Sequence, residues 1–271
     1  MNKLYRAFES HPTGAHAGGD LVTKKAFIPF VTAGDPDLET TEKLVLTMAA
    51  AGADLIELGI PFSDPVAEGI VIQQADERAL ASGTTTDKIF DMVKRVRQKT
   101  DVPLAFMTYI NPIYVYGAER FFRRCNQCGI DAAIVPDLPF EERNELLPFC
   151  EANDVRLISL IAPTSSARIG MIASAAQGFV YCVSSLGVTG VRSTITTDIG
   201  AMVKRIKAAK DIPCAIGFGI STPEQARCMA KVADGVIVGS AIVKLVAQHG
   251  RDSMGPVGEY VRQMKAAIAD L

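Results

Sequence analysis

The sequence predicts an α/β fold in which eight parallel strands alternate with helices and close into a (β/α)8 barrel. Three observations favour it. Short apolar runs with the length of buried strands alternate with amphipathic stretches along the chain. The runs are apolar on both faces, as in residues 236–238, which is typical of parallel strands covered by helices. Eight such units in 271 residues fit a barrel better than an open doubly wound sheet.

The strands are predicted from apolar runs rich in β-branched residues. In chain order the runs are residues 26–32, 54–58, 103–109, 131–135, 156–161, 178–183, 214–218 and 235–238. Several follow a short break at the end of a helical stretch, such as Ala-Gly-Ala before Asp54 and Cys-Gly-Ile before Asp131. Breaks of this kind are the ordinary end of a helix that leads into a strand.

The helices are predicted from amphipathic spacing and from their N-terminal caps. The helical stretches are residues 39–51, 86–98, 117–128, 140–153, 198–210 and 222–233, and a further one begins at Val71. The last of the six opens with Ser-Thr-Pro-Glu, which places a cap before Pro and Glu in the first turn. Residues 4–9 are expected to form a short N-terminal helix at the barrel bottom, and residues 257–270 a C-terminal closing helix. No linker divides the chain, so we expect one domain over residues 1–271.

Composition and charge exclude several classes of function. Hydrophobic residues make up 48% of the chain, which is ample for a core, and the net charge of −2 leaves no basic surface for nucleic acid or anionic lipid. No apolar run reaches the roughly 18 residues that span a bilayer, and residues 1–19 lack a signal-peptide core. We therefore expect a cytoplasmic protein.

The six cysteines are scattered along the chain, and Cys125-x-x-Cys128 has no second pair. We therefore expect buried reduced thiols and no metal site.

Two carboxylates mark the end of the second predicted strand. Glu57 interrupts an otherwise apolar run, and Glu68 closes the loop rich in Gly, Pro, Ser and Asp that follows. In barrels of this kind the active site lies at the carboxyl ends of the strands, where such a pair suits acid–base chemistry. An exposed acid on an edge strand with a second acid that caps a helix would give the same local pattern. The pattern alone leaves both interpretations open.

Three glycine-bearing loops follow strands six, seven and eight. They carry Thr189 and Gly190, then Gly219, then Gly239 and Ser240. In this fold, the loops after the last strands often bind phosphate at a helix N-terminus, and glycines allow the backbone N–H groups to approach the oxygens. Each loop alone is ordinary turn chemistry, but together they predict a site for a small phosphorylated metabolite.

The remaining side chains restrict the chemistry. A Schiff-base aldolase needs a buried lysine at a strand end, and residues 100–203, which include strands three to six, contain none. The three histidines, His11, His16 and His249, lie outside the predicted barrel and are not placed for a metal cluster or a proton relay. The groups that remain available for catalysis are the two carboxylates, beside the predicted phosphate-binding loops. These groups suit cofactor-free proton transfer, including cleavage of a carbon–carbon bond.

Six sequence motifs are similar to those of a known family. The chain resembles the tryptophan synthase α chain from about residue 25 to residue 243. The motifs that carry the resemblance are Phe27-Ile-Pro-Phe-Val-Thr-Ala-Gly-Asp-Pro36, Glu57-Leu-Gly-Ile-Pro-Phe-Ser-Asp-Pro65, Met107-Thr-Tyr-Ile-Asn-Pro112, Val135-Pro-Asp-Leu-Pro139, Val183-Ser-Ser-Leu-Gly-Val-Thr-Gly190 and Gly217-Phe-Gly-Ile-Ser221. The resemblance implies aldol cleavage of indole-3-glycerol phosphate to indole and glyceraldehyde 3-phosphate, with no cofactor in this subunit. It also implies a β subunit, which carries pyridoxal phosphate and receives the indole, in an α2β2 heterotetramer.

The resemblance also implies roles for individual residues. Glu57 matches the glutamate that moves protons between indole C3 and the substrate hydroxyl, and Glu68 occupies the position of the second catalytic acid, which bonds the indole N–H. The phosphate contacts are Gly190, Gly219, Gly239 and Ser240, beside the hydroxyl of Thr189. Phe30, Tyr109 and Tyr181 fall on the indole side. Asp64, Pro65, Asn111 and Pro139 fall where the family meets the β subunit.

One motif departs from the family. The family has Pro-x-Ala-Asp-Gly-Pro, whereas this chain has Pro65-Val-Ala-Glu-Gly-Ile70. Glu68 therefore replaces an aspartate and Ile70 replaces a proline. Three interpretations stay open: an active α subunit, a weakened α subunit that mainly binds and activates β, and another phosphosugar isomerase or lyase on the same barrel.

Overall fold

The computed structural model describes residues 2–9, 24–163, 166–183, 193–217 and 219–271. Eight parallel strands pair in chain order, and the eighth pairs with the first, so the sheet closes into a barrel. The strands are β1 (Ala26–Thr32), β2 (Ile56–Gly59), β3 (Leu104–Met107), β4 (Ala132–Ile134), β5 (Arg156–Ile161), β6 (Val180–Val183), β7 (Cys214–Gly217) and β8 (Gly235–Val238). Each predicted strand has its counterpart, and the predicted (β/α)8 barrel is confirmed.

The helices surround this barrel. They are α1 (Leu38–Ala50), α2 (Ile70–Ala81), α3 (Thr86–Arg97), α4 (Ile110–Tyr116), α5 (Ala118–Cys128), α6 (Leu147–Ala152), α7 (Ser166–Ala175), α8 (Ser193–Ala209), α9 (Pro223–Ala230), α10 (Ser240–His249) and α11 (Met254–Ala266). Three short 3-10 segments lie at Leu4–Ala7, Phe140–Glu145 and Gly250–Asp252. Within the part of the chain that is described, no helix is long and apolar enough to cross a membrane.

Strand alternation produces two separate apolar layers. Side chains such as Ile28, Ala105 and Ile237 fill the barrel interior. Their neighbours in sequence, such as Phe27 and Phe106, point outward into the larger core between the sheet and the helices. Alternate residues of a strand face opposite sides of the sheet, so both faces must be apolar when helices cover the outside.

The N-terminal segment closes the bottom of the barrel, as predicted, although its helix ends at Ala7 rather than at residue 9. Leu4 and Ala7 are fully buried, and the ring of Phe8 lies 5.5 Å from that of Phe179. The N–H of Lys3 donates to Asp131 Oδ1 at 2.7 Å. The opposite end of the barrel is the one that carries the carboxyl ends of the strands.

Some helix boundaries differ from the prediction for identifiable reasons. Helix α4 was not predicted. Its first N–H groups need an acceptor, and the Ile110 N–H donates to the carboxylate of Asp137 at 3.0 Å, from a loop 27 residues further along the chain. The predicted helix 140–153 is divided into a 3-10 segment and α6. The predicted closing helix 257–270 is α11, which begins three residues earlier and ends at Ala266.

The cysteines are free, and five of the six are buried. Burial raises the pKa of Cys128 to about 11 and that of Cys150 to about 12, so both remain thiols at neutral pH. The exception to the predicted burial is Cys228, which is exposed on α9.

Candidate active site

Glu57 points into the barrel from β2. It is paired in register with Phe30 of β1 and Ala105 of β3, and it continues the inward-facing row that begins at Leu55. Its side chain is 1% exposed, and neither carboxylate oxygen has a hydrogen-bond partner among the described residues. A closed barrel has no edge strand, so the interpretation of Glu57 as a solvated edge acid is wrong.

The environment of Glu57 favours its protonated form. Burial raises its pKa to about 8, and the negative charge of Glu68 contributes in the same direction. At neutral pH the carboxyl therefore carries a proton, with no protein acceptor for it among the described residues. A buried carboxyl in this state can donate a proton to a bound molecule and take one back.

Glu68 lies on the loop between β2 and α2, and its backbone is held on both sides. Its N–H donates to the carbonyl of Pro65 at 3.1 Å, and its own carbonyl accepts from Gln73 Nε2 at 2.8 Å. Burial raises the pKa of its carboxyl to about 7. Glu68 is half-buried, and its negative charge in turn raises the pKa of Glu57 and of Tyr181.

The three aromatic side chains that the resemblance assigns to the indole side lie at or just after the carboxyl ends of β1, β3 and β6. Phe30 on β1 and Tyr181 on β6 are buried at the top of the barrel interior. Tyr109 follows β3, where its hydroxyl accepts the Ala67 N–H at 3.0 Å and its ring lies 5.5 Å from that of Phe62. Burial raises the pKa of both tyrosines, so their hydroxyls stay neutral. The arrangement offers apolar faces for a planar ring beside a proton donor.

Two glycines make room for these rings, a role that the sequence analysis missed. A Cβ at Gly59 would lie 2.6 Å from Phe30 Cζ. A Cβ at Gly217 would overlap the ring of Tyr181. Both glycines stand in motifs that carry the resemblance, but their purpose becomes visible only when neighbouring strands are paired.

The loops after β7 and β8 approach the same mouth. Gly219 has φ +77° and open space around the position of a Cβ. Gly239 is the N-cap of α10 and supplies no side-chain acceptor, and Ser240 at the first helical position is exposed. Among the described residues nothing accepts from the N–H groups of Ser240 and Ala241, the first two of α10, which can therefore bind an anion. Thr189 and Gly190, the third predicted part of the phosphate site, lie outside the described residues.

The residues predicted to meet a partner lie around the rim of the mouth. Asp64, Asn111 and Pro139 are exposed, and Pro65 is half-buried. The segments that follow β2 and β3 also expose large apolar side chains, with Val66 83% and Val115 81% exposed; Ile70 and Tyr114 are exposed as well. A group of exposed apolar side chains with a polar rim is typical of a protein–protein interface.

No metal site accompanies this constellation in the described ranges. No group of three or more His, Cys, Asp or Glu side chains there is arranged to hold a metal ion. The buried carboxyls of Glu57 and Glu68 are suited to proton transfer.

Replacing Gly219 tests the anion site. Alanine at Gly219 would strain a backbone with φ +77°, since this region costs non-glycine residues about 1 kcal/mol or more. We expect Gly219→Ala to raise KM for a phosphorylated substrate with a smaller change in kcat. Steady-state kinetics measures the two constants, and Gly255→Ala, at a position with open space and no positive φ, is the matched control. An unchanged KM in Gly219→Ala would contradict the site.

Comparison with known proteins is consistent with this geometry. A family model described as tryptophan synthase alpha chain matches residues 20–269. The tryptophan synthase alpha chain of Lacticaseibacillus casei is 46% identical over 99% of this chain and 96% of that protein, and that of Geobacter sp. (strain M21) is 50% identical over 90% and 92%. The crystal structure of tryptophan synthase subunit alpha from Legionella pneumophila str. Paris has a TM-score of 0.83 at 38% identity, covering 91% of this chain and 94% of that one. Tryptophan synthase from M. tuberculosis in its aminoacrylate-bound form gives 0.81 at 30% identity, over 90% and 94%.

Proposed function

The chain belongs to the tryptophan synthase alpha chain family, which cleaves indole-3-glycerol phosphate, and we propose that Glu57 and Glu68 carry out this cleavage here. The enzyme is a carbon–carbon lyase that forms indole and glyceraldehyde 3-phosphate. The observation that supports the assignment of Glu57 is its carboxyl, buried at the carboxyl end of β2 with both oxygens unpaired among the described residues.

In the proposed reaction Glu57 first acts as an acid. Its proton passes to indole C3, and the ring becomes a cation. The resulting carboxylate then accepts the proton of the hydroxyl on the carbon attached to C3. The bond between that carbon and C3 breaks, its electron pair returns to the ring, and the hydroxyl carbon becomes the aldehyde. The net change is one proton moved from the hydroxyl to C3, so no redox partner is required.

Glu68 stabilises the positive charge that forms during this reaction, and the glycine loops orient the substrate. As a carboxylate, Glu68 accepts the indole N–H and opposes the positive charge that forms when C3 is protonated. Phe30, Tyr109 and Tyr181 hold the ring. The N–H groups around Gly219, Gly239 and Ser240 hold the phosphate, and we assign Thr189 and Gly190 to the same site from the motif alone. Fixing both ends of the substrate places C3 near Glu57, which is the contribution of orientation to the rate.

The proposal predicts a bell-shaped dependence of kcat/KM on pH. Glu57 must begin protonated, so the rate should fall as the pH rises above its pKa of about 8. Glu68 must be ionised, so the rate should fall as the pH drops below its pKa of about 7. Initial rates measured from about pH 5.5 to about pH 9.5, which is more than about one pH unit beyond each pKa, would define both limbs of the profile. A profile that stays flat across this interval would contradict the assigned protonation states.

We also propose a β-subunit partner, bound through the rim residues Asp64, Pro65, Asn111 and Pro139. The exposed apolar side chains on the same segments support this surface. In the α2β2 complex the partner carries the pyridoxal phosphate, and this chain needs no cofactor because its chemistry is proton transfer alone. The proposal places the reaction in the cytoplasm.

One assay tests the proposal as a whole. Indole release from indole-3-glycerol phosphate is measured with the purified chain alone and with a stoichiometric excess of a β subunit. We expect slow release alone and faster release with β, because the partner orders loops over the site. No release in either case, together with activation of β, would support the weakened-subunit alternative. No effect on β and no release would support a different phosphosugar enzyme.

A further inference from the structure

The loop that carries Glu68 has few attachments to the rest of the barrel. Most of residues 63–70 are exposed, and the described backbone–backbone hydrogen bonds of residues 61–69 lie within the loop or join it to the first turn of α2. Glu68 itself is bound through its carbonyl to Gln73 of the same helix. A catalytic side chain on such a loop needs a further support, because a displacement of about 1 Å can cost on the order of 10²-fold in rate.

Tyr109 provides this support. The N–H of Ala67, the residue before Glu68, donates to the Tyr109 hydroxyl at 3.0 Å. The ring of Phe62, at the other end of the loop, lies 5.5 Å from the ring of Tyr109. Among the described residues, the bond from Ala67 is the only hydrogen bond that joins residues 61–69 to a part of the chain other than α2. One side chain therefore contacts the loop at both ends.

Tyr109 is itself fixed in place. It lies two residues beyond the end of β3 and is 4% exposed. The N–H of Thr108, before it, donates to the carbonyl of Ile134 on β4 at 3.0 Å, and the N–H of Ile110, after it, donates to the carboxylate of Asp137 at 3.0 Å. Because its backbone is bound on both sides and its side chain is buried, Tyr109 is a rigid support for a loop that is mostly exposed.

We propose that Tyr109 is a positioning residue for Glu68 and that its hydroxyl, not its ring, performs this role. The hydroxyl holds the N–H of Ala67, whose Cα is about 3.8 Å from that of Glu68, and so limits where the carboxylate can lie relative to the indole N–H. The ring serves separately as one of the apolar faces for the indole. This positioning role rests on the proposed function of Glu68 and adds a second task for Tyr109.

Tyr109→Phe removes the hydroxyl and keeps the ring. We expect kcat for indole release, measured with a β subunit, to fall about tenfold, because Glu68 loses its alignment, and KM to change little. The matched control is Tyr116→Phe, at the other end of α4, where the lost hydroxyl binds Asp87 of α3 instead of the loop. The control should leave both constants unchanged. An increase in KM without a decrease in kcat would overturn the proposal, because the hydroxyl would then bind the substrate directly.

A double-mutant cycle with Glu68→Ala identifies the residue through which the hydroxyl acts. If the hydroxyl acts by positioning Glu68, Tyr109→Phe should lower kcat no further once the carboxylate has been removed. If the loss of about tenfold persists in the Glu68→Ala background, the two residues act independently and the positioning role is wrong.

Hydrogen exchange of the Ala67 amide tests the support without substrate. In protein labelled with nitrogen-15 alanine, we expect this amide to exchange about tenfold faster in Tyr109→Phe than in the wild type or in Tyr116→Phe. An Ala67→Gly sample assigns the signal. Exchange of Ala67 in the wild type at the rate of an unstructured peptide would overturn the inference, even if Tyr109→Phe fails to fold. A protected Ala67 amide without indole release would contradict the proposed function instead.

Discussion

Replacing Glu57 by glutamine is expected to lower kcat for cleavage of indole-3-glycerol phosphate by about 10³-fold or more, the upper part of the range for general acid–base catalysis. Glutamine fills the same space in the barrel but cannot release a proton to indole C3. Among the described residues, no other carboxyl projects from within a strand beside the glycine loops. We expect KM to change far less, since the proposed phosphate contacts lie on the loops after β7 and β8.

The same substitution should not weaken the fold. The pKa of Glu57 is raised from 4.5 to about 8 in the folded protein. Below pH 4.5 the carboxyl is protonated in both the folded and the unfolded chain, so its titration does not change the free energy of unfolding. As the pH rises, the unfolded chain releases a proton that the folded chain keeps, and the cost in stability reaches about 3 kcal/mol at pH 7. Glutamine removes this pH-dependent cost, although its amide is also buried without partners.

Thermal unfolding therefore separates the two effects. We expect Glu57→Gln to unfold at a temperature no lower than the wild type at pH 8, while its turnover is lost. Tyr181→Phe, on the opposite side of the same interior, is the matched control and should keep most of the turnover. Retention of a tenth of wild-type kcat by Glu57→Gln would show that another group transfers the proton.

The same cost made Glu57 the first candidate site residue in the sequence. A carboxyl in an apolar strand contradicts the local pattern, and such contradictions occur at functional sites because the rest of the fold must compensate for them. Strand alternation then determined the side to which Glu57 points. The barrel and its eight strands followed from apolar runs that alternate with amphipathic helical stretches, a pattern that depends on neighbours in sequence.

Other features were not predictable because they depend on partners distant in sequence. Helix α4 begins where Asp137 from the next strand–helix loop caps it. Gly217 is required by the ring of Tyr181, which lies on a neighbouring strand. Asp76 lies on the buried face of α2, which no feature of the neighbouring sequence indicates. Local periodicity predicts which elements form, but not which side chains from separate elements meet.

The second large effect is expected at Glu68, where the chain departs from its family. The structure supports an adapted loop. Helix α2 begins at Ile70, its first helical position, although the family has proline there. Proline is favoured at this position but is not needed for a helix to begin. The contacts from Pro65, Gln73 and Tyr109 fix the loop around Glu68.

In a loop fitted to glutamate, aspartate is one methylene too short to reach the indole N–H. Since a displacement of about 1 Å can cost on the order of 10²-fold in rate, we expect Glu68→Asp to lower kcat by roughly that factor and Glu68→Ala by at least as much. Ile70→Pro, which alters the other departing position without moving the carboxylate, is the matched control and should leave kcat unchanged. The three variants and the wild type are compared for kcat with a β subunit present. A Glu68→Asp enzyme that is faster than the wild type would show that the loop has not adapted, because the shorter side chain would then restore a contact that Glu68 fails to make.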